Sequence, residues 1–148
     1  MDNFCVSSII DVMDNIFKRC TEISHALLKK HGDYRCKHFS FIFDKNRLIS
    51  IGFNNPNKTH PKNLQIGFFN RRGEDISHTV GVHSELSAIL KLGEEDCTGL
   101  TLVNTRINRN NQLDFSKPCK GCNSLIRQLN FKKVYFSVDN KSFSQLSD

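Results

Sequence analysis

Three features of this sequence predict an α/β domain built on a mixed sheet. One apolar stripe runs through the first thirty residues at helical spacing, two alternating segments then meet at a polar turn, and helix and strand patterns alternate from residue 82 onward. With 148 residues, 38% hydrophobic content and 12 Phe, the chain reads as one domain able to bury its own core. Residues 1–36 supply a helix and its connection, and 37–148 the body.

The stripe is Ile9, Met13, Ile16, Cys20, Ile23 and Leu27, in steps of four and three that place all six on one helix face. Ser8 and Asp11 resemble a capping box at its start, and Gly32 is a natural stop. This helix reads as packing, with His25 and His31 on its surface. Next, Phe39, Phe41 and Phe43 alternate with smaller or polar residues up to the turn Asp44-Lys45-Asn46, and Leu48–Phe53 continues beyond it. That pattern predicts a hairpin, the first two strands of the sheet. Asn54-Asn55-Pro56-Asn57 ends the second strand, because the residue before Pro avoids helix and Asn favours turns. A long irregular stretch follows to about Gly81, with one short element at 64–69; His60 and His78 within it read as solvent-facing rather than as metal ligands.

Val82–Leu92 is a predicted helix closed by Gly93, Leu100–Asn104 a third strand, and Pro118–Leu129 a second helix of the body. Val134–Val138 is a fourth strand. Asp139-Asn140-Lys141 then forms a turn into an antiparallel fifth, since ten residues leave no room for a helix and a parallel strand. Right-handed crossovers place the two body helices on one face of the sheet.

Composition narrows the functional class. No apolar run approaches the length of a membrane span, and Met1-Asp2-Asn3-Phe4 has no basic leader, so the expectation is a soluble cytoplasmic protein. Cys5, Cys20, Cys36 and Cys97 follow no framework spacing and read as reduced, buried residues. The net charge is +6. Its cations gather at Lys58, Lys62, Arg71 and Arg72 and again from Arg106 to Lys133. Two basic stretches predict an anionic partner, either a nucleotide phosphate or a nucleic-acid backbone.

The remaining cysteines carry the chemistry. Cys119 and Cys122 stand three apart after Pro118, so one helical turn points both sulfurs at one ion, and His83 offers a nitrogen ligand from another helix. Three protein ligands leave a fourth position open, as in catalytic rather than structural zinc sites. His83-Ser84-Glu85 followed by Pro118-Cys119-Lys120-Gly121-Cys122 reproduces the H-x-E…P-C-x-x-C signature of zinc deaminases. From about Lys37 to its end the sequence resembles the cytidine and deoxycytidylate deaminase superfamily.

The resemblance implies a three-layer, cytidine-deaminase-like domain with Zn²⁺ on His83, Cys119 and Cys122, and Glu85 as the general acid and base. It further implies that Asn54 reaches the substrate sugar, that the Ser84 backbone holds the pyrimidine carbonyl, that the backbone before Pro118 accepts from the exocyclic amine, and that the enzyme is a homo-oligomer. Arg106 and Lys120 are candidates for a phosphate. The antiparallel fifth strand resembles the free-cytidine branch, whereas a histidine in the ligand set resembles the other branches. Three readings follow: a deaminase of a cytosine nucleoside or nucleotide, an editing deaminase of cytosine or adenine in single-stranded nucleic acid, and a zinc module without activity. Glu85 argues against the last, and the absence of Trp weakens the stacking platform expected of the second.

Overall fold

The computed structural model describes residues 3–30, 37–54 and 83–147, with side chains from Met13 onward. The elements are α1 (Asn3–Lys30), β1 (Lys37–Asp44), β2 (Arg47–Phe53), α2 (Ser84–Leu92), β3 (Leu100–Ile107), α3 (Lys120–Gln128), β4 (Lys133–Ser137) and β5 (Phe143–Gln145). The expected element at 64–69, His60, His78 and the first basic stretch lie outside the described residues, as do His31, Gly32 and Cys36. No described helix is long and apolar enough to cross a membrane.

One sheet has the order β2-β1-β3-β4-β5. β1 is antiparallel to β2 and to β3, so β2 and β3 point the same way; β4 is parallel to β3, and β5 turns back antiparallel to β4. The mixed sheet, its opening hairpin and its antiparallel last strand are those predicted.

Alternation along the strands sorts the core into two layers. Phe39, Phe41 and Phe43 of β1, with Val103 and Ile107 of β3, pack on Ile16 and Cys20 of α1. The Phe17 ring lies parallel to Phe143 at 4.3 Å, which ties α1 to the far edge of the sheet. On the other face, Ile42 and Leu102 meet Leu86, Ala88 and Ile89 of α2 and Leu125 and Ile126 of α3. Both body helices therefore share one face, and α1 covers the other. Each layer removes a dozen or more apolar side chains from water, the main favourable term in folding.

Several boundaries differ from the sequence expectation. α1 begins at Asn3, so Ser8 and Asp11 lie inside it rather than at a cap; Val6 continues the three-and-four spacing upstream of Ile9, and the apolar face has no reason to stop at Ser8. α2 begins at Ser84 with His83 as its N-cap, and α3 at Lys120 with Cys119 as its N-cap, two residues after Pro118. Cys119 takes the capping role because its sulfur accepts the Cys122 N–H, a bond that Pro at the first helical position would not need.

Candidate metal centre and active site

The N-termini of α2 and α3 meet at the carboxyl ends of β2 and β3, where open α/β sheets place their sites. His83 has extended backbone (φ −75°, ψ 156°) and its carbonyl accepts the Ser87 N–H at 2.9 Å. Cys119 is extended as well (φ −67°, ψ 169°), and its carbonyl accepts the Asn123 N–H at 2.8 Å. Two positive helix ends thus face one spot, which favours thiolates and other anions there.

His83 Nδ1 lies 3.6 Å from Cys119 Sγ and 3.4 Å from Cys122 Sγ. All three donor atoms fall within 4.8 Å of one another. Ordinary Zn–N and Zn–S bonds at a tetrahedral angle give an N···S separation of about 3.6 Å, so the donor set fits zinc in both chemistry and spacing. The Cys122 thiol donates to the Cys119 sulfur; that bond, aided by His83, draws the Cys119 thiol down to about 4 although burial opposes it, while Cys122 is pushed up. Burial pulls His83 down, yet its hydrogen bond to Cys119 and the charges of Cys119 and Glu85 outweigh burial and raise it. One thiolate is thus ready for a cation.

α2 is seated by a glycine. A Cβ on Gly52 of β2 would run into the Ala88 amide nitrogen and the Ser84 carbonyl, so only glycine lets the helix lie against the strand here. Ser50 Oγ donates to the Ala88 carbonyl at 2.7 Å and completes the contact. α3 is seated by the segment before it. Ser116 N–H donates to the Ser137 carbonyl at 2.9 Å, and the Ser116 hydroxyl is bonded to the β3 and β4 backbone. This buried seam delivers Lys117, Pro118 and Cys119 to the site.

Glu85 sits beside the donors but outside the triad. It is 6% exposed. Its Oε1 accepts from Ser84 Oγ at 3.1 Å and its Oε2 from Asn104 Nδ2 at 3.1 Å. Burial pushes its carboxyl up; hydrogen bonds and the His83 charge offset this only in part. A raised carboxyl suits a residue that takes up and returns a proton.

A cavity of about 230 Å³ opens on the centre. It is lined by His83, Ser84, Glu85 and Cys119 together with His38, Asn54, Ser116 and Lys117. Asn54 is therefore at the cavity, as expected, but it also serves the fold, since its Oδ1 accepts the His38 N–H at 3.1 Å and adds a rung to the hairpin. His38 was not singled out from sequence. Burial first, then Arg106 and His83, pull it down to about 4. It gives the cavity a neutral imidazole at physiological pH.

The predicted basic surround is divided by the structure. Arg127, Lys132 and Lys133 flank a separate groove of about 660 Å³ between the C-terminal end of α3 and the last strands. Nine helical residues, about 13 Å, separate that end from Cys119. The groove is the larger hollow, but the donor triad and Glu85 belong to the smaller. Neither Arg106 nor Lys120 lines the cavity; Arg106 lies 3.9 Å from Asp114, and Lys120 is exposed.

No family model and no curated protein matches this sequence. Among solved structures, the dCMP deaminase of cyanophage S-TIM5, crystallised with dCMP and dUMP, matches with a TM-score of 0.52 over 82% of this chain and 80% of that one, at 20% identity. This chain has a deaminase fold. Within it, His83, Cys119 and Cys122 form a group that could hold a metal ion.

Proposed function

We propose that this protein is a zinc-dependent hydrolytic deaminase that converts a cytosine nucleotide or nucleoside to its uracil form and releases ammonia. One observation carries the reading: three donors converge at ligand spacing while an acid–base residue, held by Ser84 and Asn104, stands beside them. A carboxylate that ligated the metal could not move protons. Likeness of fold to a dCMP deaminase supports the same reading.

Zinc on His83, Cys119 and Cys122 would supply an activated water next to the ring. Glu85 takes the proton of the attacking water, passes it to the ring nitrogen, and returns one to the amine as it leaves. Water and cytosine thereby become uracil and ammonia. The Ser84 backbone holds the ring carbonyl, the Lys117 carbonyl accepts from the exocyclic amine, and Asn54 meets the sugar. These three roles rest on the resemblance and on each residue's place at the cavity. Self-association rests on the resemblance alone, and sedimentation reads it.

Among the described residues, a mononucleotide is favoured over a polymer because Lys117 is the one Lys or Arg that lines the cavity, while Arg127, Lys132 and Lys133 stand apart from it. The test is ammonia release by zinc-loaded protein from cytosine and adenine nucleosides and nucleotides. Turnover of a cytosine compound, with weak salt dependence, is expected. Silence on that panel with turnover of a single-stranded oligonucleotide and a steep salt slope would transfer the reading to the editing class, and silence on both would end it.

A further inference from the structure

Facing rungs of β1 and β3 change character toward the site. Ile42 opposes Leu102, then Ser40 opposes Asn104, then His38 opposes Arg106. The first pair belongs to the apolar core and the third lies at the cavity end. The middle pair is unusual, since Asn is disfavoured in strands and Asn104 is 3% exposed and Ser40 0% exposed. A buried polar pair costs free energy unless every group is satisfied.

Here each group is satisfied by Glu85 or by what surrounds it. Ser40 Oγ donates to Asn104 Oδ1 at 2.6 Å and lies 2.8 Å from Ser84 Oγ, which in turn meets Glu85 Oε1. Asn104 Nδ2 donates to Glu85 Oε2 and, at 3.3 Å, to the Ser116 carbonyl. The amide has only one workable orientation. Reversed, its oxygen would face two acceptors and its nitrogen would face the Ser40 hydroxyl that now donates to it. Both carboxyl oxygens of Glu85 are therefore held from behind, Oε1 by Ser84 and Oε2 by Asn104, in a ring of contacts that Ser40 completes by giving its proton to Asn104 and lying against Ser84.

We propose that Asn104, braced by Ser40, is the positioning residue that sets the plane of the Glu85 carboxyl for proton transfer. The proposal rests on the deaminase reading for its kinetic consequence and on the ring alone for its geometry. Asn104→Leu keeps the volume and removes the donor; Asn104→Asp keeps the shape and sets a carboxylate against a carboxylate. With zinc content equal to wild type, both should lower kcat by about 10²-fold while KM stays within a small factor, the result of misplacing a group by about 1 Å. Ser40→Ala, a milder change, should move kcat in the same direction by less. A residue that served stability alone would lower the melting temperature and leave kcat untouched, and that outcome overturns the proposal.

A second readout is independent of turnover. The infrared carboxyl band of Glu85, obtained as the difference between wild type and Glu85→Gln, should shift in Asn104→Leu and in Ser40→Ala. A band unmoved in both overturns the proposal whether or not a substrate has been found. A shifted band in a protein inactive on every substrate would sink the deaminase reading and leave the positioning role standing.

Discussion

Half-buried His38 and buried Glu85 are titratable side chains at one small cavity, and burial moves them in opposite senses: each is biased toward its neutral form. For His38 this has a consequence for stability. The groups acting on it are Arg106, His83 and Cys119. Its folded value of about 4 lies below the ordinary 6.5, so between those two pH values the unfolded chain binds a proton that the folded chain does not. Stability is then complete above about 6.5 and is lost as pH falls toward 4, by on the order of 3 kcal/mol. His38→Gln lacks this loss. Melting temperatures at pH 7 and pH 4.5 should fall further in wild type than in the variant; equal falls would show that His38 does not titrate as described. From sequence, His38 was one polar position in an alternating strand, because the burial that depresses it, and the Arg106 and His83 charges that add to this, come from parts of the chain far away in sequence.

At the scale of elements, the proposed metal ligands owe their positions to how two short helices are seated. His83 and Cys119 are N-caps, and each cap closes its first turn through its own carbonyl. Moving either helix moves a ligand. Gly52→Ala is expected to do this, since its methyl would meet backbone atoms of α2 that cannot swing aside as a side chain could. The expected cost is about 3 kcal/mol. Zinc affinity should weaken as well, because Ser84 adjoins His83. Denaturant titration and metal competition check the two effects, and unchanged values in both would mean that α2 has room to shift. The elements themselves were legible in the sequence: Phe39, Phe41 and Phe43 announced β1, and the apolar spacing of Leu86, Ile89 and Leu90 suits α2, although Leu90, expected on its core face, is exposed. Their exact starts were not. Pro118 signalled a helix at the right place, but whether Pro118 or Cys119 opens it depends on a sulfur accepting the Cys122 N–H, and no local propensity encodes that bond.

For the whole molecule, the sheet carries α1 on one face and the two ligand-bearing helices on the other. α1 contributes packing, and the chemistry lies at one end of the opposite layer. The convergence of His83, Cys119 and Cys122 was readable because these residue types have few alternative uses at that spacing. The Ser40–Asn104 ring was invisible, since the hydrogen bond between its strands joins residues 64 apart and becomes evident only once β1 and β3 are in register. The basic stretch from Arg106 to Lys133 was legible as charge but not as place, because α3 separates Lys117 at the cavity from Arg127, Lys132 and Lys133 at the groove.

The central claim is a division of labour: three side chains hold the ion, and Glu85 moves the proton without holding it. Metal content and ammonia release, measured together in wild type, Glu85→Gln and Cys122→Ser, test that claim most directly. Glu85→Gln should retain about one zinc per chain and lose about 10³-fold or more in kcat, whereas Cys122→Ser should lose both metal and activity. Glu85→Gln that turns over at the wild-type rate, or that loses its zinc as Cys122→Ser does, would contradict the account.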